Sequence, residues 1–140
     1  MDNQENCKQE GWSIDKANRL YNIDRWGIGY FSINDKGNVI VSPNQDENSI
    51  PILDIVNEAK SMGLQFPLKI RLQDLLRHRI ISLNKAFYNA IDEYNYKSKY
   101  MGVFPIKVNQ FYEVVEEILD AGKDYNPERH IPAVASAGED

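Results

Sequence analysis

Lys107 is the residue of this chain best placed for covalent chemistry. It follows directly on Val103-Phe104-Pro105-Ile106, a β-prone run that predicts a strand. Its amine is then expected at the carboxyl end of that strand, where parallel barrels assemble their active sites. A lysine amine can condense with an aldehyde cofactor, although position alone favours the plainer alternative, a solvated lysine at a strand end. Arg71, at the end of FPLKIR, is a weaker candidate for the same mouth, with a salt bridge or a solvated role as the alternative. His78 sits four residues after Asp74 in RLQDLLRHRI and reads as structural or surface rather than catalytic. Asn109 and Gln110 suit the start of the next helix, since asparagine caps helices well. Tyr96 and Tyr100 read as packing residues, and Glu116-Glu117 as a solvated helix face.

The elements that must position these residues follow from periodicity. The stretch GWSIDKANRLYNIDRWGIGYF is dense in Trp, Tyr and Ile and predicts burial. Phe31 and Ile33 alternate before Asp35-Lys36-Gly37-Asn38, and Val39 and Val41 alternate after it, which predicts a hairpin. Pro51 suits a helix first turn, and that helix is expected to run to Met62 and stop at Gly63. FPLKIR (66–71) predicts a strand, Leu72 to about Asn95 a long helix, the run before Lys107 a second strand, and Phe111–Ala121 a helix ended by Gly122. Strand, helix, strand, helix is the alternation of parallel sheets with helical crossovers. Two such pairs are about a quarter of a (β/α)₈ barrel of roughly 250 residues, and an open doubly wound sheet would also need more strands. The expected class is therefore α/β and incomplete as written, a β-hairpin followed by the start of either a partial (β/α)₈ barrel or an open doubly wound sheet.

Composition bounds the rest. The chain has 140 residues, 42% hydrophobic and 26% charged, which suits one globular domain at most. A net charge of −5 with dispersed basic residues lacks the footprint of a nucleic-acid binder. The single cysteine, Cys7, cannot build an intramolecular disulfide, and neither a secretory signal nor a membrane span is recognisable, so a cytoplasmic location is expected.

GVFPIKVNQ (102–110) closely resembles the cofactor-lysine motif of biosynthetic arginine decarboxylases. LYNIDRWGIGYFSINDKGNVIVSP (20–43), IPILDIVNEAKSMGLQFPLKIRLQDLLRHRI (50–80) and VVEEILDAGK (114–123) are similar to consecutive stretches of that family, so the resemblance runs from about Trp12 to Lys123. It implies a pyridoxal-phosphate enzyme of the alanine-racemase-like fold, with Lys107 as its Schiff-base lysine. It further implies L-arginine as substrate, agmatine and carbon dioxide as products, magnesium as a further cofactor, and a homo-oligomer at full length. On this basis residues 1–11 are a disordered leader, 12–48 a β segment of the β domain, 49–123 the start of the cofactor-binding barrel, and 124–140 a divergent tail.

The tail, DYNPERHIPAVASAGED, departs from the family, which continues there with another strand. Cofactor-phosphate donors, the acidic partner of the pyridine nitrogen and a ring-stacking histidine come from later strands in the family. The expectation is thus an amino-terminal fragment, inactive alone. The alternatives are a noncatalytic decarboxylase-like chain that binds a full-length relative and, more weakly, a barrel enzyme of another lyase type.

Overall fold

Ser13 caps the first helix: its side-chain oxygen accepts from the backbone N–H of Lys16 at 3.2 Å, satisfying a donor that has no intrahelical partner. The computed structural model describes residues 11–125 and divides into two compact units, Met1–Leu68 and Lys69–Asp140. Residues 1–10, with Cys7, and residues 126–140 of the expected tail lie outside the described residues.

In the first unit, α1 (Ile14–Tyr21) and α2 (Ile23–Gly27) lead into a three-stranded antiparallel sheet of order β1-β2-β3, formed by Phe31–Ile33, Val39–Val41 and Ile50–Pro51. The hairpin is as expected, with Phe31 opposite Val41 and Ile33 opposite Val39. Asn34 shapes its turn, its Oδ1 accepting from the N–H groups of Lys36 (3.0 Å) and Asn38 (2.9 Å). Gly37 is required there, because its φ is +80° and a Cβ would meet the Trp12 ring at 3.3 Å. Ala17, Ile23, Tyr30, Val41 and Ala59 form the core of this unit. The aromatic-rich stretch is only partly buried, for Trp12, Leu20, Tyr21 and Trp26 are exposed while Ile23 and Tyr30 carry the packing.

The third strand was not anticipated. Ile50 and Pro51 pair with Val41 and Ile40 before α3 (Ile52–Ser61) begins, so Pro51 is the N-cap of the helix and not its first residue. Proline is tolerated because β3 is an edge strand, where a missing N–H breaks no inner ladder. The helix ends as the sequence implies: Gly63 has φ +82°, its N–H donates to the Lys60 carbonyl, and the Leu64 N–H donates to the Ala59 carbonyl.

The second unit is a helical pair, α4 (Gln73–Glu93) and α5 (Tyr112–Tyr125), joined by a segment containing one 3₁₀ turn, Ile106–Val108. Tyr88, Ile118 and Ala121 are its buried apolar residues. Two expectations are corrected here. Neither 66–71 nor 103–106 forms a strand, because no neighbouring strand pairs with them and Pro67 and Pro105 have no N–H to give a ladder. The sheet among the described residues is wholly antiparallel, so the α/β class stands and no parallel strand pair of a barrel is present among those residues. Gly122 does not end α5, which continues to Tyr125; glycine costs about 1 kcal/mol in a helix interior, and the adjoining Ala121 is fully buried.

Candidate functional site

Lys69 and Arg71 lie two residues apart in the irregular segment that leads into α4. Both reach the ring of Phe111, the residue immediately before α5: the Arg71 guanidinium carbon lies 3.7 Å from the ring centroid and the Lys69 Nζ lies 5.4 Å from it. Phe111 is held in turn by Asn109, whose Oδ1 accepts from the Phe111 N–H at 3.4 Å. Such cation–aromatic contacts contribute about 0.5–1 kcal/mol each at exposed sites.

Lys107 occupies the middle of the 3₁₀ turn, which is closed by hydrogen bonds from Val108 N–H to the Pro105 carbonyl and from Asn109 N–H to the Ile106 carbonyl, both 3.0 Å. Its side chain is exposed. Lys69, Arg71, Lys107, Val108, Asn109, Gln110 and Phe111 together line an open cleft of about 790 Å³. Three cations and no carboxylate make that lining electropositive. Glu113 lines an adjoining depression of about 280 Å³ that also touches Arg71 and Asn109. Among the described residues, no ion pair joins either lysine or the arginine to a carboxylate.

The sequence candidates therefore separate. Lys107, Arg71, Asn109 and Gln110 meet in one cleft, Lys107 from a 3₁₀ turn and not from a strand end. Asn109 does not cap α5 as expected: its Oδ1 accepts from the N–H of Phe111, the residue before the helix, and so shapes the turn that precedes it. His78 does not line the cleft. Tyr100 packs, stacked on Phe87 with centroids 3.9 Å apart, and its carbonyl accepts from the Tyr88 hydroxyl at 3.2 Å; Tyr96 is exposed. Glu117 is not a solvated residue: its Oε1 accepts from the Arg77 Nε at 2.6 Å and its side chain is 16% exposed. Glu116 accepts from the Tyr112 hydroxyl at 2.7 Å, and that bond, followed by the charge of the same carboxylate, raises the phenol above its ordinary value.

Lys69 and Phe111 were missed as site residues. The signal for Lys69 was its two-residue spacing from Arg71, which in extended chain directs both side chains to one side. Phe111 carried a misleading signal, because its apolar character fits the inward face of α5, yet it is 51% exposed.

No family model matches the chain. A biosynthetic arginine decarboxylase of Prochlorococcus marinus is 45% identical over 120 residues, 85% of this chain and 18% of that protein. One from Phocaeicola vulgatus is 42% identical over 115 residues, 82% of this chain and 18% of that protein. The crystal structure of the biosynthetic arginine decarboxylase from Campylobacter jejuni matches 75% of this chain and 17% of its own, with a TM-score of 0.66 and 35% identity. The chain spans about 18% of the length of the curated relatives it matches. In sequence and in backbone, it is homologous to a segment of the biosynthetic arginine decarboxylases.

Proposed function

We propose that this chain supplies the cofactor-lysine segment of a pyridoxal-phosphate-dependent arginine decarboxylase, converting L-arginine to agmatine and carbon dioxide. The observation that carries the reading is the exposed Lys107 amine in an electropositive cleft, within a segment homologous to enzymes of that name. The residues fit the group: a primary amine open to solvent suits an aldehyde, and the cations beside it suit an anionic molecule. When bound, pyridoxal phosphate supplies that aldehyde and a ring that accepts the electrons released as a carboxylate departs. Lys107 tethers, the cationic side chains attract and orient, and the 3₁₀ turn fixes where the tether starts.

Homo-oligomeric assembly, a cytoplasmic location and completion of a (β/α)₈ barrel by further chain belong to the same reading. Among the described residues, no group of three or more His, Cys, Asp or Glu side chains could hold a metal ion, so no ligand is assigned to magnesium. No described helix is long and apolar enough to cross a membrane.

The cleft offers an amine and cations, but no carboxylate among its lining residues to stabilise a protonated ring nitrogen. The 140 residues alone should therefore bind the cofactor on Lys107 without accelerating carbon dioxide release beyond that of free cofactor. Borohydride treatment in the presence of pyridoxal phosphate, followed by peptide mapping, should find the reduced cofactor on the peptide containing Lys107 and lose it in Lys107→Ala. Labelling spread evenly over the surface lysines would defeat the assignment. Lysine-dependent agmatine formation by the chain alone would show a more complete site than proposed.

A further inference from the structure

We propose that Arg71 is a positioning residue for an oxyanion in the Lys107 cleft, gripping a carboxylate or phosphate group of the molecule that meets the lysine amine. The inference rests on the function proposed above for Lys107, but its geometry stands independently. Arg71 has the Phe111 ring against its guanidinium at 3.7 Å. A guanidinium carbon this close to a ring centroid is held against the aromatic surface while its N–H groups, which match two oxygens of a carboxylate or phosphate, can still reach a ligand.

Lys69 lies over the same ring, and Lys107 lines the same cleft. Like charges gathered at one place repel, and an anion relieves that repulsion while gaining from each of them. Arg71 is exposed and, among the described residues, its recorded contact is the one with Phe111, so its charge is not committed to holding the fold. Asn109 accepts from the Phe111 N–H at 3.4 Å, which helps to set the backbone from which the ring projects. The 14-residue helix α5 begins at the next residue, and its positive end has the same sign as the cleft.

The test is an anion titration of the isotopically labelled 140-residue chain followed by nuclear magnetic resonance of the Arg71 Nε–H and the Phe111 ring, at ionic strength held constant with chloride. Inorganic phosphate and acetate form separate arms. Saturable shifts with either anion are expected, and whichever binds more tightly identifies the source as a phosphate or a carboxylate; equal binding supports the shared chemistry. Arg71→Gln should weaken binding about tenfold or more, as loss of a charge-assisted contact implies. Arg71→Lys should fall between, because it keeps the charge but not the fork. Phe111→Leu should also weaken binding by freeing the guanidinium. No saturable response, or an unchanged one in Arg71→Gln, would overturn the proposal. Lys107→Ala should weaken the anion response less than Arg71→Gln does and leave the Arg71 Nε–H shift saturable, so a failed cofactor assignment at Lys107 and a failed anion site at Arg71 are separately visible.

Discussion

The Nε of Arg77 on α4 donates to the Oε1 of Glu117 on α5 at 2.6 Å, tying together the two helices whose contact makes the second unit. The side chains are 31% and 16% exposed, so the pair is neither a freely solvated bridge nor a deeply buried one. Hydrogen bonds to charged groups contribute about 1.5–3 kcal/mol, and solvent screening places this pair toward the lower end. Glu117→Ala should lower stability by about 1–2 kcal/mol. Arg77→Ala should cost at least as much, because it strands the more buried carboxylate. Urea unfolding followed on α4 and α5 signals would measure both; midpoints equal to that of the parent chain would mean that the bond is idle.

The hairpin and all three long helices were legible because their signals are local: alternation about a glycine-containing turn, and apolar spacing bounded by Gly63 and by Leu72. The strands at 66–71 and 103–106 were not, since strand formation depends on a neighbour that local sequence cannot name. Helix α4 shows a subtler failure. Leu83 and Phe87 fit the apolar spacing but are exposed, whereas the buried positions are the next ones along, Asn84 and Tyr88. Periodicity fixes the pitch of a helix, but its rotation depends on what packs against it. Lys107 was legible from its motif, while the partnership of Lys69 and Arg71 over Phe111 required knowing how the chain folds back on α5.

Ile23 is 1% exposed in the core of the first unit. Truncation there removes packing that the short elements around it cannot easily replace. Ile23→Ala is expected to destabilise the unit by about 2–5 kcal/mol, a large share of the roughly 5–15 kcal/mol typical of a domain. Thermal unfolding monitored on β1 and β2 amides should show the loss, and a change below about 1 kcal/mol would mean that the site collapses around the smaller side chain.

Gly63 separates backbone strain from packing. Its φ is +82° and nothing lies within 4 Å of where a Cβ would be, so Gly63→Ala creates no clash. The left-handed conformation alone should cost about 1–2 kcal/mol. Gly63→Asn should cost less, because asparagine tolerates that region. Comparison of the two denaturation midpoints checks this, and equal losses would point to a cause other than backbone conformation.

Tyr112 gives the chain a pH dependence whose sign is fixed by the structure. Its hydroxyl donates to Glu116 at 2.7 Å, so the neutral phenol is favoured first by that bond and then by the negative charge of the same carboxylate, with smaller contributions from Asp120 and Glu113. The folded phenol therefore ionises above 10.0, its ordinary value. A raised value means that the folded state holds the proton more tightly than the unfolded chain does. The resulting contribution to stability is fully present below about pH 10 and is lost as the pH rises through the folded value. Because the ring is open to solvent, the effect should be visible in titration before it is visible in unfolding. A carbon-13 titration of the Tyr112 ring should give a midpoint above 10.0 in the parent chain. In Glu116→Ala, which removes both the acceptor and its charge, the midpoint should fall toward the ordinary value without fully reaching it, since Asp120 and Glu113 remain. Identical midpoints would show that the hydroxyl does not make this bond in solution.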